Sequence, residues 1–345
     1  RREIDSGVDV LERRREQAAA PTVAAEVERY CQARIDGLKS GKALRRYFER
    51  DLVPALGKKK VAEVRRADII RVVEAKAAET PRAARLLLTA IQGFFGWLAD
   101  RELIDADPSA GIKAARINKA MKPRRRERVL DDEEIAAFWD GIDETRIHRL
   151  TAICLKLILV TGQRPGEVAG MRHSEIDGNV WTIPASRRLK TDTANRVPLT
   201  PLALELIEQA RQEVERLAHR RRWEVDADLV FPARQSGALS VHGLDRAANR
   251  YRVELGNKNT TDWGHWRPHD LRRTCRTGLA AAGVSDEIAE RVIGHGGGGM
   301  VAVYNQHRYE AEKRAALEAW ERRLAAIIEG HEPDIAEVVQ LHGAG

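Results

Sequence analysis

The chain has 345 residues, with 59 Lys and Arg against 52 Asp and Glu for a net charge of +7, so it is long enough for two ordinary domains and its balance favours a polyanionic partner. Its longest apolar stretch, 155–160, is interrupted by Lys156 and falls far short of the roughly 20 residues that cross a bilayer, which argues against a membrane partner. Three scattered cysteines, Cys31, Cys154 and Cys275, show no CxxC spacing, which argues against a disulfide scaffold or a cysteine zinc site and fits reduced thiols in a cytosol.

The first residues, RREIDSGVDVLERRR, are basic and begin without a methionine, so a preceding portion is expected to be missing. From 21 to 112 the pattern is helical throughout. Its clearest segment is TPRAARLLLTAIQGFFGWLADREL, where Thr80 is placed to cap, Pro81 suits the first helical position, and Leu87, Ile91, Phe94 and Leu98 recur at helical spacing. Helices of this kind bury their apolar faces on one another, which predicts a small bundle. Pro108 ends it, and the stretch 113–128, with the run KPRRRER at its end, reads as a basic linker.

A second domain is expected over 129–329. Asp131 and Glu134 stand in capping-box register, and an apolar helix runs through ICLKLILV into TGQRPGE, a turn enforced by Gly162, Pro165 and Gly166. The segments VWTI and RVPL, joined by a polar basic connection, predict a β-hairpin, and further helices are expected after Pro201, Ser240, Pro268 and Ser285. The fold class is therefore mainly α with a small β-sheet. Residues 330–345 form a tail whose short apolar face suits docking on a neighbouring protomer or, equally, a frayed end. A third basic run fills 220–222. Any one such run is commonly a solvated surface, but their repetition points toward nucleic acid.

Phosphodiester chemistry needs a nucleophile, a proton donor for the leaving oxygen, and fixed positive charge for the transition state. Arg164 lies in the constrained TGQRPGE turn, where it either aims its donors at a phosphate or caps the preceding helix. In PHDLRRT, Pro268 marks a helix start, and His269 and Arg272, three apart, project from one face of its first turn. His265 and His269 also have a zinc-compatible spacing, but no third ligand accompanies them, so no metal is expected. Lys190, in the hairpin connection, could reach a leaving oxygen or could be a solvated loop lysine. The sequence GHGGGGMVAVY then places His295 before the glycine run 296–299 and Tyr304 nine positions on (304 minus 295). A packing role for Tyr304 remains open, and Tyr309 is a competing nucleophile.

Singly these signals are weak. Together and in order, the arginine of TGQRPGE, the lysine after a strand, HxxR, the histidine of IGH and the tyrosine resemble the catalytic signature of the tyrosine recombinases, the phage integrase family. The tail YNQHRYEAEKRAALEAW further resembles the P4-type integrases of prophages and genomic islands, and 1–20 resembles a remnant of their arm-binding region.

The resemblance implies a helical, SAM-like core-binding domain over 21–112 and a mixed α/β catalytic domain of the DNA breaking-rejoining type. It implies that Tyr304 attacks the scissile phosphate to form a 3′-phosphotyrosyl link and that Arg164 and Arg272 hold the nonbridging oxygens. His269 and His295 would assist, and Lys190 would protonate the leaving 5′-oxygen. Glu167 and Asp270 would orient these groups, and Lys122, Arg124, Arg125, Arg126, Arg128, Arg187 and Arg188 are expected to meet DNA. No cofactor is required.

The implied partners are double-stranded attachment sites, three further copies of the chain in a tetramer on DNA, and accessory proteins such as a directionality factor and a host DNA-bending protein, all in the bacterial cytoplasm at the nucleoid. A type IB topoisomerase-like relaxing enzyme and a DNA-binding regulator without catalysis are the alternatives. The filled catalytic positions disfavour the regulator, and the helical domain and tail disfavour the topoisomerase.

Overall fold

The computed structural model describes residues 20–38, 40–123, 126–188, 193–221, 225–234, 237–258, 265–295 and 309–331. The chain divides into two compact units between Arg126 and Glu127.

The first unit is helical. Helix α1 (Val23–Tyr30) starts at Thr22, whose hydroxyl accepts from the Ala25 amide at 3.3 Å, and short helices α2 (Gly41–Tyr47) and α3 (Val53–Leu56) lead to the longer, mutually packed helices α4 (Arg66–Glu79) and α5 (Pro81–Ala99). Thr80 does occupy the position before α5, in extended conformation, with Pro81 at the first helical turn. Its side chain makes no capping bond, so the proline and not the hydroxyl defines the start. The expected stripe of Leu87, Ile91, Phe94 and Leu98 is fully buried. Each such side chain withdrawn from water contributes roughly 1.5–3 kcal/mol before entropy is counted. Tyr30 packs edge-on against Phe48 and Phe94, with ring centroids 5.8 and 5.6 Å away. Within 113–128, α6 (Ala114–Ile117) is followed by a 3-10 turn over Lys119–Met121, and Met121 is buried in the core of this unit.

The second unit is built around a helix with almost no exposed face. Helix α7 (Asp132–Gly141) carries the predicted capping box: Asp131 Oδ1 accepts from the Glu134 amide at 2.8 Å and Glu134 Oε2 from the Asp131 amide at 3.1 Å. Such a cap is worth about 1 kcal/mol. Helix α8 (Arg149–Thr161) is buried from Leu150 to Thr161. Its one lysine, Lys156, reaches Asp143 at 2.6 Å and lies 4.8 Å over the Trp139 ring. The helix ends at Gly162, whose φ of 64° is a left-handed conformation suited to glycine. Helix α9 (Pro165–Ala169) follows at once.

The hairpin forms as expected within a three-stranded antiparallel sheet in the order β1 (Ile176–Asp177), β2 (Val180–Ile183), β3 (Asn195–Pro198), with Trp181 opposite Val197 and Ile183 opposite Asn195. Helices α10 (Pro201–Arg221), α11 (Val241–Lys258), α12 (Pro268–Ala281), α13 (Asp286–Val292) and α14 (Glu310–Ile328) complete the unit. Among the described residues no helix is long and apolar enough to cross a membrane. Cys31, Cys154 and Cys275 are free and buried.

Helices α12 and α14 touch where Gly278 faces Trp320, whose indole Nε1 donates to the Leu159 carbonyl at 3.0 Å. A Cβ on Gly278 would stand 2.1 Å from the Trp320 ring. The Gly278→Ala variant should therefore lose about 1–3 kcal/mol of stability through overpacking, despite its better helix propensity. Urea unfolding measures this, and an unchanged or raised midpoint would contradict the close packing.

Candidate active site

The Gly162 turn places two polar side chains where α8 ends. Gln163 is fully buried; its amide nitrogen donates to the carbonyls of Thr161 and Val292, both at 2.8 Å, and its oxygen accepts from Asn195 at 3.1 Å. That amide ties the end of α8 to the end of α13 and the start of β3. Arg164, next in the chain, is partly exposed, and its Nη1 donates to Glu167 Oε1 at 2.9 Å. Glu167 is 4 % exposed and also accepts from the Arg164 amide at 3.2 Å, so one carboxylate holds both the backbone and the guanidinium of this residue. Capping and anion recognition are compatible here, since the remaining donors of Arg164 stay available.

Helix α12 supplies the second pair. Pro268 opens it, and Asp270, with no exposed surface, caps it by accepting from the Arg267 amide at 2.9 Å while pairing with Arg273 at 2.5 Å. Two residues on, Arg272 is 3 % exposed. Its Nη1 donates to the Gly162 carbonyl at 3.0 Å, and its Nη2 donates to the Ile293 carbonyl at 2.6 Å and lies 3.1 Å from His295 Nε2. The first two of these partners are neutral carbonyls. Burial, and then the neighbouring Arg164 cation, press its pKa down to about 10, so Arg272 remains cationic at neutral pH without a hydrogen-bonded carboxylate.

His269 sits exposed on the first turn of the same helix. The surrounding chain and then Arg272, Arg273 and Arg164 hold its pKa below the usual 6.5, against the pull of Asp270, so the imidazole is neutral at neutral pH. His295 follows Gly294, a left-handed turn at φ 69°, and its Nδ1 lies 2.7 Å from Glu290 Oε2. Arg164, Glu167, His269, Arg272 and His295, read from sequence, thus converge on the ends of α8, α12 and α13. Lys190, Tyr304, Arg124, Arg125 and the glycine run 296–299 lie outside the described residues. Tyr309, the competing tyrosine, precedes α14 with the Arg291 guanidinium 3.8 Å over its ring. Among the described residues no group of three or more His, Cys, Asp or Glu could hold a metal ion.

Three of the cations expected to meet DNA are bonded within the fold. Arg188 is turned inward, 4 % exposed, donating to the carbonyls of Thr193 and Gly294 at 2.7 Å each, with Nε 3.6 Å from Glu167. Arg187 is committed to Glu175 and, at 2.5 Å, to the Glu167 carbonyl. Both looked like loop cations because the sequence does not show that the end of the hairpin strand is covered by the Gly294 turn and by α9. Arg128 is likewise engaged, donating to Glu134 at 2.8 Å and to its neighbouring carbonyl at 2.6 Å, whereas Lys122 is exposed. Glu290 and Gln163 were not singled out from sequence. Their value depends on contacts across the fold, though an acid five residues before the IGH histidine was visible.

Residues 128–311 match the Phage integrase family, and residues 22–115 match the Phage integrase central domain. The chain belongs to the phage integrase family. It is a tyrosine recombinase, a site-specific enzyme that cleaves and rejoins DNA. Prophage integrase IntZ of Escherichia coli K12 is 25% identical to this integrase over 341 residues, covering 95% of this chain and 79% of IntZ. Tyrosine recombinase XerC of Xylella fastidiosa strain 9a5c is 25% identical over 60% of this chain and 64% of XerC. Among solved structures, the Tn1549 transposon integrase in complex with circular intermediate DNA shares the fold with a TM-score of 0.66 at 15% identity, covering 86% of this chain and 99% of that one. A lambda integrase tetramer bound to a Holliday junction gives a TM-score of 0.65 at 18% identity over 84% and 82% of the two chains.

Two outcomes follow for this integrase. A histidine-detected NMR titration should place the His269 midpoint below 6.5, assigned by its loss in His269→Gln; a midpoint at or above that value would contradict the cationic surroundings. Arg188→Met should lower stability by about 1–3 kcal/mol, because buried carbonyls lose their donor. It should leave the salt dependence of DNA binding unchanged, whereas loss of a phosphate contact would reduce the log–log slope by about 1.

Proposed function

We propose that this integrase cleaves DNA with Tyr304 as nucleophile and that Arg164 and Arg272 form the clamp for the scissile phosphate. The observation that supports this most is Arg272, a buried cation bonded, among the described residues, to carbonyls and an imidazole, with a second arginine nearby. The carboxylates of Glu167 and Glu290 act on Arg272 without bonding to it, so its donors face neutral carbonyls and an imidazole, and an incoming phosphodiester supplies a directly bonded anion. Preorganised cations of this kind act on the transition state because they need no reorientation when charge develops.

In this reading the Tyr304 oxygen attacks phosphorus and the bond to the 5′-oxygen breaks, leaving a 3′-phosphotyrosyl link and a 5′-hydroxyl. Neutral His269 accepts the tyrosine proton, and Lys190 donates one to the leaving oxygen. Because the covalent link retains the energy of the broken phosphodiester, a second 5′-hydroxyl reverses the step without external energy. Asp270 fixes the start of the helix that carries His269 and Arg272, and Glu167 fixes Arg164. Exposed Lys122, with Arg124, Arg125 and Arg126, would contribute sequence-independent attraction to the DNA backbone. The enzyme would act as a tetramer on paired attachment sites, as the lambda integrase does on a Holliday junction, to integrate or excise a mobile element in the bacterial cytoplasm, with accessory proteins setting direction.

The test is a suicide-substrate trap using nicked duplexes that carry candidate attachment sites from DNA flanking the gene. Wild type should yield a denaturation-resistant protein–DNA complex that Tyr304→Phe abolishes, while Arg272→Ala reduces its rate at least a hundredfold. A complex that persists in Tyr304→Phe would move the nucleophile elsewhere, with Tyr309 first in line. Specific binding without any covalent complex would overturn the catalytic assignment.

A further inference from the structure

The two ring nitrogens of His295 face chemically opposite partners. Nε2 lies 3.1 Å from Nη2 of Arg272, and a guanidinium can only donate, so Nε2 accepts. Nδ1 lies 2.7 Å from Oε2 of Glu290, and a carboxylate can only accept, so Nδ1 carries the proton. The neighbours therefore select one neutral tautomer of the ring.

Glu290 is itself held. Its Oε1 accepts from Arg276 Nε at 2.8 Å, and Arg276 Nη2 reaches Asp286 at 2.7 Å, so a chain of alternating charge runs from α12 across α13 to the imidazole. Partial burial opposes its charge, yet the bonds from Arg276 and His295 keep Glu290 below the ordinary carboxylate range. The backbone reinforces the pair, since the His295 amide donates to the Glu290 carbonyl at 2.9 Å in the turn that ends α13. Glu290 and His295 are therefore brought together by the geometry of one helix terminus and need no flexible loop to meet.

We propose that Glu290 is a positioning residue for strand cleavage: it fixes His295 as the Nδ1–H tautomer with Nε2 turned to Arg272 and the phosphate site. When a phosphodiester arrives and takes the Arg272 donor, Nε2 gains a proton from solvent. The resulting imidazolium donates to a nonbridging oxygen while the Glu290 carboxylate stabilises its other edge. A carboxylate behind an imidazole does this by orientation and by favouring the charged ring. The proposal rests on the reading of His295 as part of the phosphate site.

The first measurement is independent of activity. In the full chain labelled with 15N-histidine, with His295 assigned by its disappearance in His295→Gln, the neutral ring should show the protonated-nitrogen shift on Nδ1 and the bare-nitrogen shift on Nε2. In Glu290→Ala the ring should lose this single form and shift toward the Nε2–H tautomer. An Nε2–H tautomer in wild type, or identical spectra in Glu290→Ala, would overturn the proposal.

The second measurement is the rate of covalent capture on the nicked duplexes. Glu290→Ala should slow capture roughly ten- to a hundredfold, with DNA affinity and thermal midpoint close to wild type, and Glu290→Gln, which keeps an acceptor for Nδ1–H, should fall between. Capture by Glu290→Ala at the wild-type rate would overturn the positioning role while leaving the recombinase reading intact. A correct tautomer in a wild-type protein that never forms a covalent complex would instead count against the placement of His295 in a cleavage site.

Discussion

The second unit is organised around Arg272, one of its buried cations. Arg272 donates to a carbonyl at the end of α8, to another at the end of α13, and meets the histidine beyond it, while its own backbone belongs to α12. The distant helix α8 and the consecutive pair α12 and α13 are thereby registered on one planar group. A lysine could not replace it, because the contacts need a fork of donors in fixed directions. The same bonds leave the charge of Arg272 uncompensated by a bonded carboxylate, so the element that organises the fold is also the one suited to attract an anion.

Around this cation the fold spends several buried polar groups on positioning. Glu167 serves Arg164, Gln163 links α8 to α13 and β3, and Arg188 holds the Gly294 carbonyl just ahead of His295. A side chain at Gly294 would be strained by its φ of 69°, and its Cβ would stand 2.9 Å from the ends of Arg188 and Asn195, which would have to shift. Buried polar groups persist when each finds a partner, and a connected set of them specifies one arrangement more narrowly than apolar packing does. The turn that presents His295 is thus fastened from the hairpin on one side and from α12 on the other.

Much of this was legible in the sequence because the chemistry is carried by short motifs. TGQRPGE announces its turn through glycine and proline, and PHDLRRT announces a helix start with two functional residues on one face. The capping box at Asp131 and the hairpin were readable from local pattern alone, and the structure keeps both. Local pattern is silent where a neighbour distant in sequence decides a side chain's partners. Arg187 and Arg188 read as loop cations until Glu175, Glu167 and Gly294 are brought against them. Glu290 was overlooked because an acid on a surface helix is ordinary until its histidine folds back on it. Thr80 shows a smaller failure, in which the position was right and the expected hydroxyl bond was replaced by the pre-set backbone of Pro81.

The three cysteines have a practical consequence for watching this enzyme at work. All are buried, and burial raises each thiol above its ordinary range, Cys275 to about 12, so the reactive thiolate is scarce at neutral pH. The native chain is therefore close to silent toward maleimide dyes. A cysteine introduced at an exposed position such as Leu38 or Leu86 would take up a fluorophore selectively, without first stripping the natural thiols from the core. Cys275 in particular is best left in place, because its sulfur packs against the Gly162 turn that sets Arg164.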